Sequence, residues 1–345
     1  MPVMLDEIHE QPRIVQAVLT QEQRNIERLC KAIRSKDIDC VVIAGRGTSD
    51  HAATVAKYLI EITNGLPVAL AAPSVVTLYR SRLNLSRCLV MGVSQTDSSE
   101  EVVEYVAEAR RAGALTVGIT SDPDSELSRN TDYNVFCHVG EERGVATTKS
   151  YTAALAACYL FALTLAENRE MLDNLMRVPE MMQKTFETEQ LIHDIAPRYR
   201  YMEECFVMAR GINHATAYEA ALKIAETSYV GARAYSVADF AHGPIAVVHE
   251  GFSCFMFAPA GKAFSSVVNM IGTLSQKRAE TIVYSNSEEA LRRATIAVRM
   301  PVDMDEILTP LVYILPAQLF AYYLALTKGY NPDRPRGAHR PTLSR

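Results

Sequence analysis

The chain has 345 residues, 48% hydrophobic and 22% charged, the make-up of a globular protein with room for two domains of ordinary size. A net charge of −5 and a pI near 6.0 leave no basic field, which argues against nucleic acid as a partner. The first ten residues have neither the basic nor the apolar part of a secretory signal, and the apolar run 311–326 is broken by Pro316 and Gln318, so it reads as a buried helix and no membrane partner is expected.

In chain order, 1–36 forms a leading segment with a helix at Gln21–Arg34. A strand at Cys40–Ala44 runs into the turn Gly45-Arg46-Gly47-Thr48-Ser49 and a helix from about Asp50 to Thr63. Val68–Ala72 reads as a second strand, and Val75–Arg80 fits neither pattern well. Cys88–Val93 is a strand that enters Ser94-Gln95-Thr96-Asp97-Ser98-Ser99 and a helix at Glu100–Ala112. Strands at Leu115–Thr120 and Tyr133–Cys137 follow, then a long helical region from near Thr147 to about Glu170. Strand alternating with helix predicts an α/β fold with a parallel sheet and helices on both faces. A charged, Met-rich helical stretch at 171–195 separates this half, 37–170, from the next, 196–330.

The second half repeats the first. Cys40-Val41-Val42-Ile43-Ala44-Gly45-Arg46-Gly47 leads to His51-Ala52-Ala53, and Cys205-Phe206-Val207-Met208-Ala209-Arg210-Gly211 leads to His214-Ala215-Thr216. Cys88-Leu89-Val90-Met91 likewise answers to Ser253-Cys254-Phe255-Met256. Two copies of one α/β domain are therefore expected, with ligands beyond the carboxyl ends of the strands, where both glycine turns lie. The seven cysteines, at 30, 40, 88, 137, 158, 205 and 254, include no Cys-x-x-Cys. They read as free thiols of a reducing compartment, which makes the cytoplasm the expected location.

Three turns and one helix carry the candidate chemistry. Gly45-Arg46-Gly47 has Asp50 where a dinucleotide fingerprint needs its third glycine, and the chain has no nucleotide P-loop, so the turn with Thr48 and Ser49 suits a single phosphate monoester. It also suits a tight turn with Ser49 or Asp50 as helix cap. Ser94–Ser99 offers the same choice, because Ser98 and Glu101 have capping-box spacing. Two hydroxyl-rich turns at one end of a sheet favour a ligand. In Arg143–Lys149, Lys149 reads equally as a phosphate contact or a solvated charge. Glu219, Lys223 and Glu226 share a helix face, and His242 opens the turn His242-Gly243-Pro244. A carboxylate near a histidine can move protons at neutral pH. The same residues also describe a self-paired helix surface and a plain turn.

As a set, Ser94-Gln95-Thr96, Glu142–Lys149, Glu219 with Glu226-Thr227-Ser228-Tyr229, His242-Gly243-Pro244 and the tail from Pro316 to Arg336 resemble the sugar isomerase (SIS) family. The resemblance is closest to the isomerase half of glucosamine-6-phosphate synthase and to stand-alone sugar-phosphate deaminases and deglycases. It implies two tandem SIS domains of flavodoxin-like, three-layer form, with 331–345 as a tail over the site. It implies a hexose 6-phosphate held by Thr48, Ser49, Ser94, Gln95, Thr96 and Ser99. Val145 and Ala146 would meet the sugar through backbone, with Glu142 beside them. Glu226 would shuttle a proton between C1 and C2, Glu219 would support it, and His242 would assist ring opening from a neighbouring subunit. A homodimer with shared sites, and no metal or organic cofactor, follow from the same likeness.

Three departures qualify it. No nucleophilic cysteine or glutaminase domain is expected, Asp97 replaces a glycine beside the phosphate, and Arg340 stands where the family has a lysine. A guanidinium forms no Schiff base, yet it can pair with an anion. The expected activity is isomerisation coupled to deamination or deglycation of an amino-sugar or fructosamine 6-phosphate. A plain aldose–ketose phosphate isomerase and a non-catalytic sugar-phosphate sensor are the alternatives.

Overall fold

The computed structural model describes residues 2–95, 99–334 and 336–337. They form two compact units. One is built from 10–142 and 149–179; the other takes the described residues up to His9, the short segment 143–148, and those from 180 onward.

The N-terminal part is more helical than expected: α1 covers Val3–Gln21 with Pro12 inside it, and α2 covers Gln23–Arg34. The first sheet then assembles from β1 (Cys40–Ala44), α3 (Thr48–Asn64), β2 (Val68–Leu70), the one-turn α4 (Ser74–Thr77), β3 (Cys88–Val93), α5 (Glu100–Arg111), β4 (Leu115–Thr120), the short α6 (Glu126–Arg129) and β5 (Tyr133–Phe136). Its strand order is β2-β1-β3-β4-β5, and every pairing is parallel. The apolar runs of β3 and β4 are buried along their whole length, as a sheet covered on both faces requires. α7 (Lys149–Leu165) packs on α3, and Glu167, in the left-handed region at φ 53°, separates it from α8 (Arg169–Met176). The long helical region expected from near Thr147 to about Glu170 is thus made of α7 and the start of α8.

After α9 (Val178–Thr185) and α10 (Glu189–Ile195) come β6 (Glu204–Ala209), α11 (His214–Ser228), β7 (Gly231–Ser236), the one-turn α12 (Val237–Phe240), β8 (Ser253–Phe257), α13 (Phe264–Gln276), β9 (Glu280–Ser285), α14 (Glu288–Arg293), β10 (Ile296–Arg299) and α15 (Pro310–Thr327). The order is β10-β9-β8-β6-β7, again all parallel. Numbering each sheet from its own first strand gives one pattern, 2-1-3-4-5, in both. Strand starts at 40, 88, 115 and 133 recur at 204, 253, 280 and 296. The duplicated rhythm of the sequence is therefore a duplicated topology.

α15 is 18 residues long and apolar enough to cross a membrane, but 83% of it is buried, and it packs against α11. Thr227 and Ser228 of α11 donate to the Ala321 carbonyl of α15, at 3.1 and 3.3 Å. All seven cysteines are free, six of them buried.

Candidate functional site

In a 2-1-3-4-5 sheet the chain leaves β1 in one direction and β3 in the other, so a crevice opens outside the carboxyl ends of these two strands. β1 and β3 pair with Ala44 opposite Gly92. The turn Gly45–Ser49 and the segment that opens at Ser94 and leads to α5 therefore leave neighbouring strand ends in the first unit. A side-chain bridge ties them: the Arg46 Nε donates to Glu101 Oε2 at 3.0 Å, and Thr77 Oγ1 donates to Glu101 Oε1 at 3.3 Å. The Arg46 guanidinium holds the Glu101 carboxyl below its ordinary range.

The turn geometry removes the simple capping explanation. A Cβ on Gly45 would sit 2.8 Å from the Ser49 carbonyl, so only glycine lets the helix start this close to the strand. The cap of α3 is Gly47, at φ 54°, which has no side chain to cap with. Thr48 and Ser49 are instead the first two helical residues, and the helix begins two residues before the expected Asp50. Asp50 is held above its ordinary pKa because burial opposes its charge, against the pull of His51 and Arg46. At the second turn Ser94 is 3% exposed and its N–H donates to the Ile119 carbonyl at 3.0 Å. Gln95 is half-buried. Ser99 caps α5 through its backbone, with no side-chain capping bond. Thr96, Asp97 and Ser98 lie outside the described residues, so the capping box expected from Ser98 does too.

Two side chains at the third turn have partners within the chain. Lys149 is 3% exposed, and its Nζ donates to Glu10 Oε2 at 2.9 Å and to the Glu141 carbonyl at 2.8 Å. It is neither a solvated charge nor an amine held ready for phosphate; it anchors the start of α7. Glu142, expected beside the sugar, turns its carboxylate to Ser150, accepting from Oγ at 2.6 Å and from N–H at 3.3 Å. An anion there complements the N-terminus of α7.

The second unit holds the acid–base candidates. Along α11, Glu219 and Lys223 are fully buried, and the Lys223 ammonium stands 2.7 Å from Glu226 Oε2 and 3.4 Å from Glu219 Oε1. This is not a solvated helix face. Glu219 is the dry carboxylate; the Glu226 side chain keeps 34% of its surface exposed, so the chain alone does not desolvate it. α11 ends at Tyr229, left-handed at φ 55°. The Arg336 guanidinium lies over the Tyr229 ring at 4.9 Å and the Tyr330 ring at 5.1 Å, and its backbone N–H donates to the Tyr229 hydroxyl at 2.7 Å. Asp333 accepts from the Val3 and Met4 N–H groups at 3.0 and 2.8 Å, capping α1. Arg340 lies outside the described residues.

The unit does not bring Glu226 and His242 together. α11 returns from the carboxyl end of β6 to the start of β7, so Glu226 lies at the amino end of the sheet. His242 is exposed in the turn after α12, beyond the carboxyl end of β7. The length of β7, about 20 Å at roughly 3.3 Å per residue, separates them. In the same unit Val145 is half-buried and Ala146 is 2% exposed.

A SIS-domain family model matches residues 36–164 and again 202–328, one match on each sheet. The chain belongs to the SIS domain family. It is 31% identical over 343 residues to glutamine–fructose-6-phosphate aminotransferase (isomerizing) of Thermococcus kodakarensis, a match covering 96% of this chain and 56% of that protein. The chain thus spans little more than half the length of the curated relatives it matches. Among solved structures, a candidate phosphosugar isomerase from Silicibacter pomeroyi DSS-3 is 31% identical with a TM-score of 0.87, covering 96% of this chain and 100% of that one. The tagatose-6-phosphate ketose/aldose isomerase of Escherichia coli shares the fold, with a TM-score of 0.86 at 19% identity and 99% of each chain covered.

Sequence reasoning placed Lys223 on the right face and gave it no task. Its total burial between two acids was the missing fact, and the i, i+4 and i+7 spacing with flanking alanines was the signal. Arg46 was read only as a turn residue; nothing local announces its reach to Glu101, 55 positions away.

Proposed function

We propose that this SIS-family chain is a sugar-phosphate isomerase that also releases nitrogen, acting on an amino-sugar or fructosamine 6-phosphate by proton shuttling. The observation that carries the reading is the pairing of two devices within one chain. The helix-opening turn Gly45–Ser49 is tied to the start of α5 at the switch point of one sheet, and on a helix of the other a buried ammonium, Lys223, pairs with the buried Glu219 and the half-open Glu226. The phosphoryl group takes hydroxyl and N–H donors from Thr48, Ser49, Ser94, Gln95, Thr96 and Ser99, with two helix N-termini adding favourable field. Glu226, partly open to solvent, accepts a proton from one of the adjacent sugar carbons C1 and C2 and returns it to the other. Lys223 fixes the Glu226 carboxylate in place and keeps a positive charge next to the enediol oxygens as they gain charge. Glu219 balances that ammonium. A base placed in this way gains roughly 10²–10⁴-fold in each proton transfer it assists.

His242 opens the sugar ring from a second copy of the chain. The placement of His242 and Glu226 at opposite ends of β7 supports this. Mixing Glu226→Gln protein with His242→Asn protein tests the sharing. Hybrid dimers regain activity if each site draws on both copies, and stay inactive if each protomer is self-sufficient.

Nitrogen release is tested by measuring ammonia from glucosamine 6-phosphate and amine from fructosamine 6-phosphates. Ketose–aldose exchange without any nitrogen released would reduce the reading to a plain isomerase. Tight binding of sugar phosphates with no turnover would make the chain a sensor.

A further inference from the structure

The segment 143–146 has no regular secondary structure, yet Gly144 and Ala146 are buried. Buried backbone N–H groups outside helices and strands need acceptors. Glu7, on the second turn of α1 and 1% exposed, supplies them: Oε1 accepts from the Arg143 N–H at 2.5 Å and Oε2 from the Gly144 N–H at 3.1 Å. The approach is so close that a Cβ on Gly144 would fall 2.6 Å from Glu7 Oε2. Glu7 and 143–148 belong to the same unit as α11, although the residues flanking that segment in sequence belong to the other. A buried carboxylate is costly unless its acceptors are well used. Here one carboxylate grips two successive amides through charge-assisted bonds.

We propose that Glu7 is a positioning residue for sugar recognition: by clamping the Arg143 and Gly144 amides it sets the backbone of Val145 and Ala146 that faces the sugar. This rests on the proposed function and on the sugar contact that the family resemblance implies for Val145 and Ala146. Glu7 touches no substrate, so its loss weakens what that backbone reads and spares the phosphate grip.

The test compares Glu7→Gln with the unmodified chain by titration calorimetry, using fructose 6-phosphate and inorganic phosphate as separate ligands. The glutamine keeps one acceptor and turns an NH₂ towards the second amide. Affinity for fructose 6-phosphate should fall about tenfold, the scale of one lost charged hydrogen bond, while inorganic phosphate stays within about twofold. Unchanged affinity for both ligands, or an equal fall for both, overturns the inference. Gly144→Ala, which pushes the segment off an intact Glu7, should give the same split even if Glu7→Gln folds poorly. If the unmodified chain takes no sugar phosphate, the proposed function falls, and amide hydrogen exchange then decides on Glu7. Faster exchange at Arg143 and Gly144, with α11 unchanged, upholds the clamp; unchanged exchange at those two amides overturns it.

Discussion

Replacing Lys223 by methionine isolates what the buried ammonium does. The side chain is fully buried, and methionine fills a similar volume, so packing changes little. The contacts to Glu226 and Glu219 are lost with the ammonium. The 2.7 Å bond to Glu226 ends on a carboxylate with 34% of its side chain exposed, which the screening of half-open pairs limits to about 0.5 kcal/mol. The 3.4 Å contact to Glu219 ends on a carboxylate with no exposure, and stripping the cation from a buried pair costs about 3 kcal/mol. The sum is a destabilisation of about 3.5 kcal/mol. With a urea slope of about 2 kcal/mol per molar, the midpoint of the transition that reports α11 should fall by about 1.8 M. Circular dichroism at 222 nm follows it, since the chain has no tryptophan. Two units need not unfold together, so the midpoint is read from the affected transition alone. Adding Glu219→Gln to Lys223→Met removes the unpaired charge and should restore more than half of the loss. A single variant within about 0.5 kcal/mol of the parent would refute the claim of a buried, charge-coupled line. A double variant no better than the single one would assign the loss to packing.

Three further outcomes follow from particular contacts. Ser94→Ala should raise KM for a sugar 6-phosphate about tenfold with kcat little changed, and an unchanged KM would remove Ser94 from the phosphate site. Cys30, Cys158 and Cys254, whose thiols burial pushes up to about 12, should resist iodoacetamide at pH 8 in the folded chain and react in urea; prompt labelling of the folded chain would contradict their packing. Burial raises the Asp50 pKa above the unfolded value of 3.8, so its favourable contribution is present below that value and is lost as pH rises through the folded one. Asp50→Asn should therefore stabilise the protein at pH 7 and lose that advantage near pH 3. A destabilisation at pH 7 would show that the α3 terminus favours the ionised form.

Much of the fold was legible because a parallel sheet writes itself as short apolar runs followed by glycine turns. Cys40–Ala44, Cys88–Val93 and Leu115–Thr120 begin and end as expected. The repeat was legible because β1 and β6 carry the same Cys-to-Gly pattern. α1 was missed, and Pro12 lies inside it with the helix continuing through. The start of α3 was placed late because Ser49 and Asp50 look like caps, while the N-cap position is held by Gly47 at φ 54°. At the site, residue types at the turns were readable from local sequence. Their partners were not: Arg46 with Glu101, Lys149 with Glu10, and Glu7 with Gly144 are joined only by the fold. Burial inverted the reading of Glu219 and Lys223, whose spacing fits a solvated face as well as a dry one.

The proton shuttle itself is open to one direct measurement. Fructose 6-phosphate is incubated with the protein in D₂O, and deuterium at C1 and C2 is followed by proton NMR, for the unmodified chain and for Glu226→Gln. Deuterium should enter with the parent and stop with Glu226→Gln, while calorimetry shows the variant still binding the sugar phosphate. Washing-in by the variant at the parental rate, or none with the parent, would contradict a carboxylate on α11 as the base.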